Sequence, residues 1–233
     1  SCSIATGAAV SVMLIRAGVS PIATLPIAFL AGALAGMVTG LLNTALGIPG
    51  ILASILTQIS LYSINLNIMG KANQPVSVDN YPLVVSLRYV TDGSVSRLLF
   101  FLGMIVFLLA LIAVMYWYFG TEQGHAIRAT GCNSNMARAQ GINTNFIKVL
   151  ALMISNGLVG LCGALYGQFQ GASDVNMGRG AIVIGLAAVI IGEVLFGKFA
   201  SKRKLAFAFT LASVILGAVI YYMVYQFVLW LNV

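Results

Sequence analysis

Leu98-Leu-Phe-Phe-Leu-Gly-Met-Ile-Val-Phe-Leu-Leu-Ala-Leu-Ile-Ala-Val-Met-Tyr-Trp-Tyr-Phe119 contains no charged residue and no proline. The hydrocarbon core of a bilayer takes about 20 apolar residues in helical form. With no water at that depth, every backbone N–H and C=O must find its partner inside the protein, which a helix achieves within one segment. This stretch is a membrane-spanning helix, and it decides the fold class.

Six other apolar runs flank it: Ile4 to Ile15, Ile22 to Leu46, Ile51 to Met69, Val149 to Phe169, Ala181 to Phe196 and Leu205 to Leu231. The first is too short to span, and the chain starts without methionine, so at least one helix upstream of Ser1 is expected. The run from Ala181 is between half and full length. The last ends in Tyr221, Tyr222, Tyr225 and Trp230, an aromatic belt of the kind found at membrane interfaces. A tight Gly47-Ile48-Pro49-Gly50 turn joins the second and third runs. The fold expected is all-α: a polytopic transmembrane bundle with broken or half-length membrane helices, forming one domain over residues 1–233.

Composition agrees. The 233 residues are 60% hydrophobic and 7% charged, with a mean hydropathy of +1.01, against roughly 25% charged in soluble domains. Soluble globular, disordered, collagenous and coiled-coil chains are excluded. The net charge of +7 is spread thinly between apolar runs, with one cluster at Lys198, Lys202, Arg203 and Lys204. That pattern sets membrane orientation and does not bind nucleic acid. Loops 120–148 and 197–204 carry seven Lys and Arg; the opposite loops carry five, at Arg16, Lys71, Arg88, Arg97 and Arg179. The first set is therefore expected in the cytoplasm and the 71–97 loop outside. Cys2, Cys132 and Cys162 form no CxxC pair and support neither a disulfide framework nor a zinc site.

Gly32, Gly36 and Gly40 make a smooth stripe on the second run, and Gly163 and Gly167 repeat it in the fifth. Small residues four apart let helix backbones approach closely in lipid. Packing within one subunit and contact with a second copy both fit. In the third run, Ser54, Gln58, Tyr62 and Asn65 fall within an arc of about 80°, with Ser60, Ser63 and Asn67 nearly opposite. Such a helix belongs at the centre of its bundle. Its polar face either lines a water-filled path or hydrogen-bonds to neighbouring helices. Glu193 is either a relay site or an interfacial carboxylate paired with Lys198 or Lys202. Asp174 and Arg179 flank a glycine-containing loop and are positioned to pair.

Several chemistries are missing. No G-x-x-x-x-G-K-[ST] occurs; Gly197-Lys198-Phe199 lacks the spacing and the hydroxyl. Gly178-x-Gly180 with Gly185 follows no strand and reads as a helix break at membrane depth. The single histidine, His125, sits in a polar loop with neither a Gly-x-Ser-x-Gly nor a metal-ligand cluster. No catalytic or metal-binding residue is assigned, and enzyme activity is not expected.

The strongest local signal lies at 129–142. Asn133 is a good N-cap and Gly141 a good C′ residue, so Ser134 to Gln140 forms a short helix bracketed by Gly131 and Gly141. Two turns of helix do not stand alone in water. This one must dock, with Met136 and Ile142 as apolar contacts and Arg138 as a charge. The run Ala129-Thr130-Gly131-x-Asn133-x-x-x-Ala137-Arg138-x-x-Gly141-Ile142, followed by Lys148, Ser155-Asn156-Gly157, Gly160 and Gly163-Ala164-Leu165, resembles the permeases of ATP-binding-cassette importers. It is most similar to the branch holding branched-chain amino acid and ribose permeases, and within it to bacterial permeases paired with a tryptophan- or tyrosine-type substrate-binding lipoprotein. The likeness covers about residues 120–196.

That resemblance implies a homodimeric pathway in the bacterial cytoplasmic membrane for a small polar solute of the amino acid class, aromatic ones included. It implies a separate ATPase subunit that binds ATP and Mg, and an external binding lipoprotein that delivers the solute. By the same resemblance Ala129, Gly131, Asn133, Met136, Ala137, Arg138 and Gly141 form the element that couples to the ATPase. The alternative is a secondary transporter or channel driven by an ion gradient, for which Glu193 would be the acid to test.

Overall fold

The computed structural model describes residues 2–76, 83, 94–200 and 206–231. Among them stand nine helices and one two-stranded ribbon. In chain order they are α1 (Cys2–Arg16), α2 (Pro21–Thr44), α3 (Gly50–Met69), β1 (Asn73–Pro75), α4 (Ser94–Phe119), α5 (Glu122–Cys132), α6 (Ser134–Ala139), α7 (Thr144–Gln170), β2 (Ala172–Asp174), α8 (Ala181–Ala200) and α9 (Ala206–Trp230). Five helices are long and apolar enough to cross a bilayer: α2, α3, α4 from Leu98, α7, and α9 from Phe209. The chain is an all-α polytopic membrane protein.

By packing, it falls into two units, Ser1–Gly103 with Glu122–Arg179 and Met104–Thr121 with Gly180–Val233. In the first unit α1 is the core. It has 15 residues, about 22 Å of helix, shorter than the roughly 30 Å of a bilayer's hydrocarbon. Yet Ala5, Ala8, Ala9, Val12 and Ile15 are wholly or almost wholly buried. Small residues on every face let α2, α3 and α7 close around it.

The main seam joins α2 and α7. Gly32, Gly36 and Gly40 face Asn156, Leu152 and Val149, and a Cβ at Gly40 would sit 2.9 Å from the Val149 Cα. Cβ atoms at Gly32 and Gly36 would overlap the carbonyl oxygens of Asn156 and Leu152. From the other side Gly160 would meet the Ala28 carbonyl at 2.7 Å. Gly163 and Gly167 face Ile4 and Ala8 of α1. The glycine stripes therefore pack inside the chain.

A buried amide locks the same three helices. Gln168 Nε2 donates to Ser11 Oγ (3.1 Å), Thr24 Oγ1 (3.1 Å) and the Pro21 carbonyl (3.2 Å). Ser3 donates to Asn156 Oδ1 at 2.7 Å. Inside a membrane an unsatisfied amide costs several kcal/mol, about as much as one in dry protein, so these bonds fix the register of α1, α2 and α7.

At the far end of α3 the chain turns through Gly70 (φ +66°) into β1. β1 pairs antiparallel with β2, Asn73 opposite Asp174 and Pro75 opposite Ala172. Gln74 ties the ribbon down, donating to the Met69 carbonyl at 2.5 Å and accepting from Arg16. Residues 77–82 and 84–93, which hold most of the expected external loop and its Arg88, lie outside the described residues, as do Lys202, Arg203 and Lys204.

In the second unit α8 packs on α9 through glycines. A Cβ at Gly192 would lie 2.5 Å from the Ser213 carbonyl, and Gly217 faces Ala188 and Gly192. Glu193 is exposed on α8. The side chain of Lys198, one of its expected partners, is outside the described set.

Candidate functional site

Two places gather the residues singled out in the sequence, both within the first unit. The first is the α5–α6–α7 corner. Asn133 caps α6: its Oδ1 accepts the backbone N–H of Asn135 and of Met136, both at 3.1 Å. Gly141, at φ +83°, closes the other end. Its N–H donates to the Arg138 carbonyl (3.0 Å), and the Ile142 N–H donates to the Ala137 carbonyl (3.1 Å). That is the Schellman pattern, and the positive φ it needs is what glycine supplies. Asn143 then caps α7 by accepting from the Phe146 N–H at 3.2 Å.

Side chains complete the corner. Arg138 donates to Thr144 Oγ1 from Nε (3.3 Å) and a terminal nitrogen (3.0 Å), lashing α6 to the first turn of α7. Ala137 is buried at 3% exposure, so it faces the chain's own interior and not a partner. Met136 is 62% exposed and Phe146 58%. Phe146 was not singled out in the sequence, where its position just past a cap gave no hydropathy signal. Gly131 also differs from expectation. It lies inside α5, followed by Cys132 and the Asn133 cap, and does not bracket α6. Ala129 stands in α5 as well, its carbonyl accepting the Asn133 N–H at 3.0 Å.

The second place is a cavity of about 250 Å³ beside the middle of α3. Gln58 and Tyr62 line it from α3, and Asn176 and Arg179 line it from the turn that follows β2. Ile59 and Val175 give it an apolar wall. Tyr62 lies seven residues before the end of α3, so the cavity reaches about 10 Å below that end. Asp174 and Arg179 make no ion pair here. The Asp174 carboxylate instead accepts the Asn176 N–H at 2.6 Å.

The structure divides the polar arc of α3. Ser54, Gln58 and Tyr62 are exposed, whereas Asn65 is fully buried, and neither of its amide atoms has a hydrogen-bond partner among the described residues. The buried stripe of α3 runs Ala53, Thr57, Asn65, Met69. Steps of four residues drift by about 40° on a straight helix, so the stripe rotates into the polar arc at Asn65.

Residues 2–233 match the model of a family described as the branched-chain amino acid transport system permease component. The chain belongs to that family. This permease-family chain is 38% identical over 215 residues to a tyrosine transport system permease protein of Clostridioides difficile, covering 92% of this chain and 67% of that one. It is 33% identical to the uncharacterized protein RP368 of Rickettsia prowazekii, covering 72% and 57% of the two chains. It is 25% identical to the inner membrane ABC transporter permease protein YjfF of Escherichia coli, covering 76% and 53%. The permease-family chain thus spans between about half and two thirds of these relatives. No solved structure matches it. Family and helices together make it a multi-pass membrane protein and a transport subunit.

Proposed function

We propose that this chain forms the translocation pathway of an ATP-binding-cassette importer in the bacterial cytoplasmic membrane, with α6 as the element that engages a separate ATPase. The observation that carries the reading is the α6 corner. A six-residue helix is capped at both ends, tied to α7 through Arg138, and presents Met136 and Phe146 outward. Isolated, such a helix would not persist. Here it is rigidly joined to the helix that packs on α1 and α2, so a push on α6 is delivered to the bundle core.

In this reading ATP and Mg belong to the partner subunit, a second permease copy completes the pathway, and an external lipoprotein supplies the solute. The solute class is a small amino acid, aromatic as for the tyrosine transport permease of Clostridioides difficile.

Met136→Asp tests it. The complete transporter is purified in mild detergent from its host, with wild type and variant side by side. A Walker-type ATPase copurifies with wild type. The variant is expected to lose that ATPase and at least about 90% of solute-stimulated ATP hydrolysis, with an unchanged thermal midpoint. An ATPase that copurifies equally with both rejects α6 as the docking element. Uptake that survives ATP depletion and collapses in Glu193→Gln would move the reading to gradient-driven transport.

A further inference from the structure

We infer that the cavity formed by Gln58, Tyr62, Asn176 and Arg179 is a solute seat for a small zwitterion, an α-amino acid whose carboxylate is held by Arg179 and whose ammonium lies toward the Asn176 amide. This deepens the transport reading above and rests on it.

Arg179 carries the argument. It lines a cavity that reaches about 10 Å inside the end of a span, its backbone N–H donates to the Asn176 carbonyl at 2.8 Å, and among the described residues its guanidinium has no hydrogen-bond or ion-pair partner. A cation at that depth is expensive unless it meets water or an anion, which is why intramembrane ionisable groups mark pathways. Asp174, the carboxylate at the end of β2, pairs with the Asn176 backbone N–H and forms no ion pair with Arg179. The turn from Val175 to Arg179 is itself non-helical, and irregular backbone at membrane depth is tolerated where it is buried in protein or lines a wet cavity.

The remaining groups narrow the ligand. A guanidinium offers a planar fork of donors that fits a carboxylate with two parallel bonds. Asn176 Oδ1 is an acceptor without a donor, which is what an ammonium supplies. Ile59, Val175 and the Tyr62 ring give an apolar side for a side chain. At about 250 Å³ the space lies below the roughly 300–1,000 Å³ of drug-sized sites. It suits one small molecule, not a peptide.

The test places a reporter thiol in the cavity. Gln58→Cys is made in the full-length protein with Cys2, Cys132 and Cys162 replaced by serine, in membranes holding the complete transporter. Rates of modification by anionic sulfonatoethyl and cationic trimethylammonioethyl methanethiosulfonate are compared with a free thiol. The anionic reagent is expected to be favoured about tenfold over that reference, and Arg179→Gln to abolish the preference. L-tyrosine is expected to slow modification while tyramine, which lacks the carboxylate, does not. Arg179→Lys keeps the charge preference and weakens L-tyrosine protection about tenfold, because the fork is lost.

A rate ratio that ignores Arg179→Gln, or protection by tyramine equal to that by L-tyrosine, overturns the inference. The two readings fail separately. Protection by L-tyrosine in a preparation that imports no amino acid would keep the site and reject the transport role. Import without protection or charge preference would do the reverse.

Discussion

A methyl group at Gly36 has nowhere to go, because the Leu152 carbonyl of α7 already occupies the space. Backbone cannot step aside as a flexible side chain can. Gly36→Leu is therefore expected to destabilise the protein by about 2 kcal/mol or more, read as a lower thermal midpoint in detergent together with reduced yield. An unchanged midpoint would mean that the α2–α7 seam is not closed as described. The four-residue spacing of these glycines was legible in the sequence; their partners, more than a hundred positions away on α7, were not. Asn65 shows the opposite limit. Its angle on a helical wheel puts it with Ser54 and Gln58, but only the crossing of α3 over its neighbours decides that it is buried while they are exposed.

Among the elements, α6 was the easiest to read and α5 the hardest. Asn133 and Gly141 act through bonds to residues a few positions away, so local chemistry specifies the helix. α5 is polar, lies outside the spans, and carries no hydropathy pattern that separates helix from loop. The cost of removing the α6 N-cap is expected to be about 1 kcal/mol and local. Asn133→Ala should speed amide hydrogen exchange over residues 134–140 while leaving exchange in α2 and α7 unchanged. Equal acceleration throughout would show that α6 has no stability of its own to lose. The position of Ala137 alters how this helix is probed. A bulky residue there would break packing inside the chain, so loss of coupling in Ala137→Trp would say nothing about a docking surface. Met136 is the informative position.

For the molecule as a whole, seven apolar runs gave the all-α class and nearly every helix. The cavity was not legible, because it needs α3 and the turn after β2, brought together over more than a hundred residues. The alternation of helices was. α1 runs with α7, as Ser3 to Asn156 and Ser11 to Gln168 show, while α2 runs against both. The ribbon and α6 then sit at opposite ends of α7. Asn73→Cys is expected to react with a membrane-impermeant maleimide from outside intact cells, and Met136→Cys only after the cells are opened. Labelling of Met136→Cys from outside and of Asn73→Cys only after opening would invert the orientation set by the Lys and Arg balance, and labelling of both from one side would refute their placement at opposite ends of α7.

The ribbon also governs how α3 can move. β1 leaves α3 after three residues and β2 leaves α7 after one, so two strands clasp the tops of two helices that are distant in sequence. Sliding α3 lengthwise would shear that clasp and pull Gln74 from the Met69 carbonyl. Below it, α3 touches its neighbours along a single narrow line of side chains, with most of its girth uncovered. The least costly motion left to it is a swing about the clasped end, like a door leaf on its upper pin, its travel at Pro49 and Gly50 limited by the short turn to α2, where Asn43 donates to the Ile48 carbonyl at 2.9 Å.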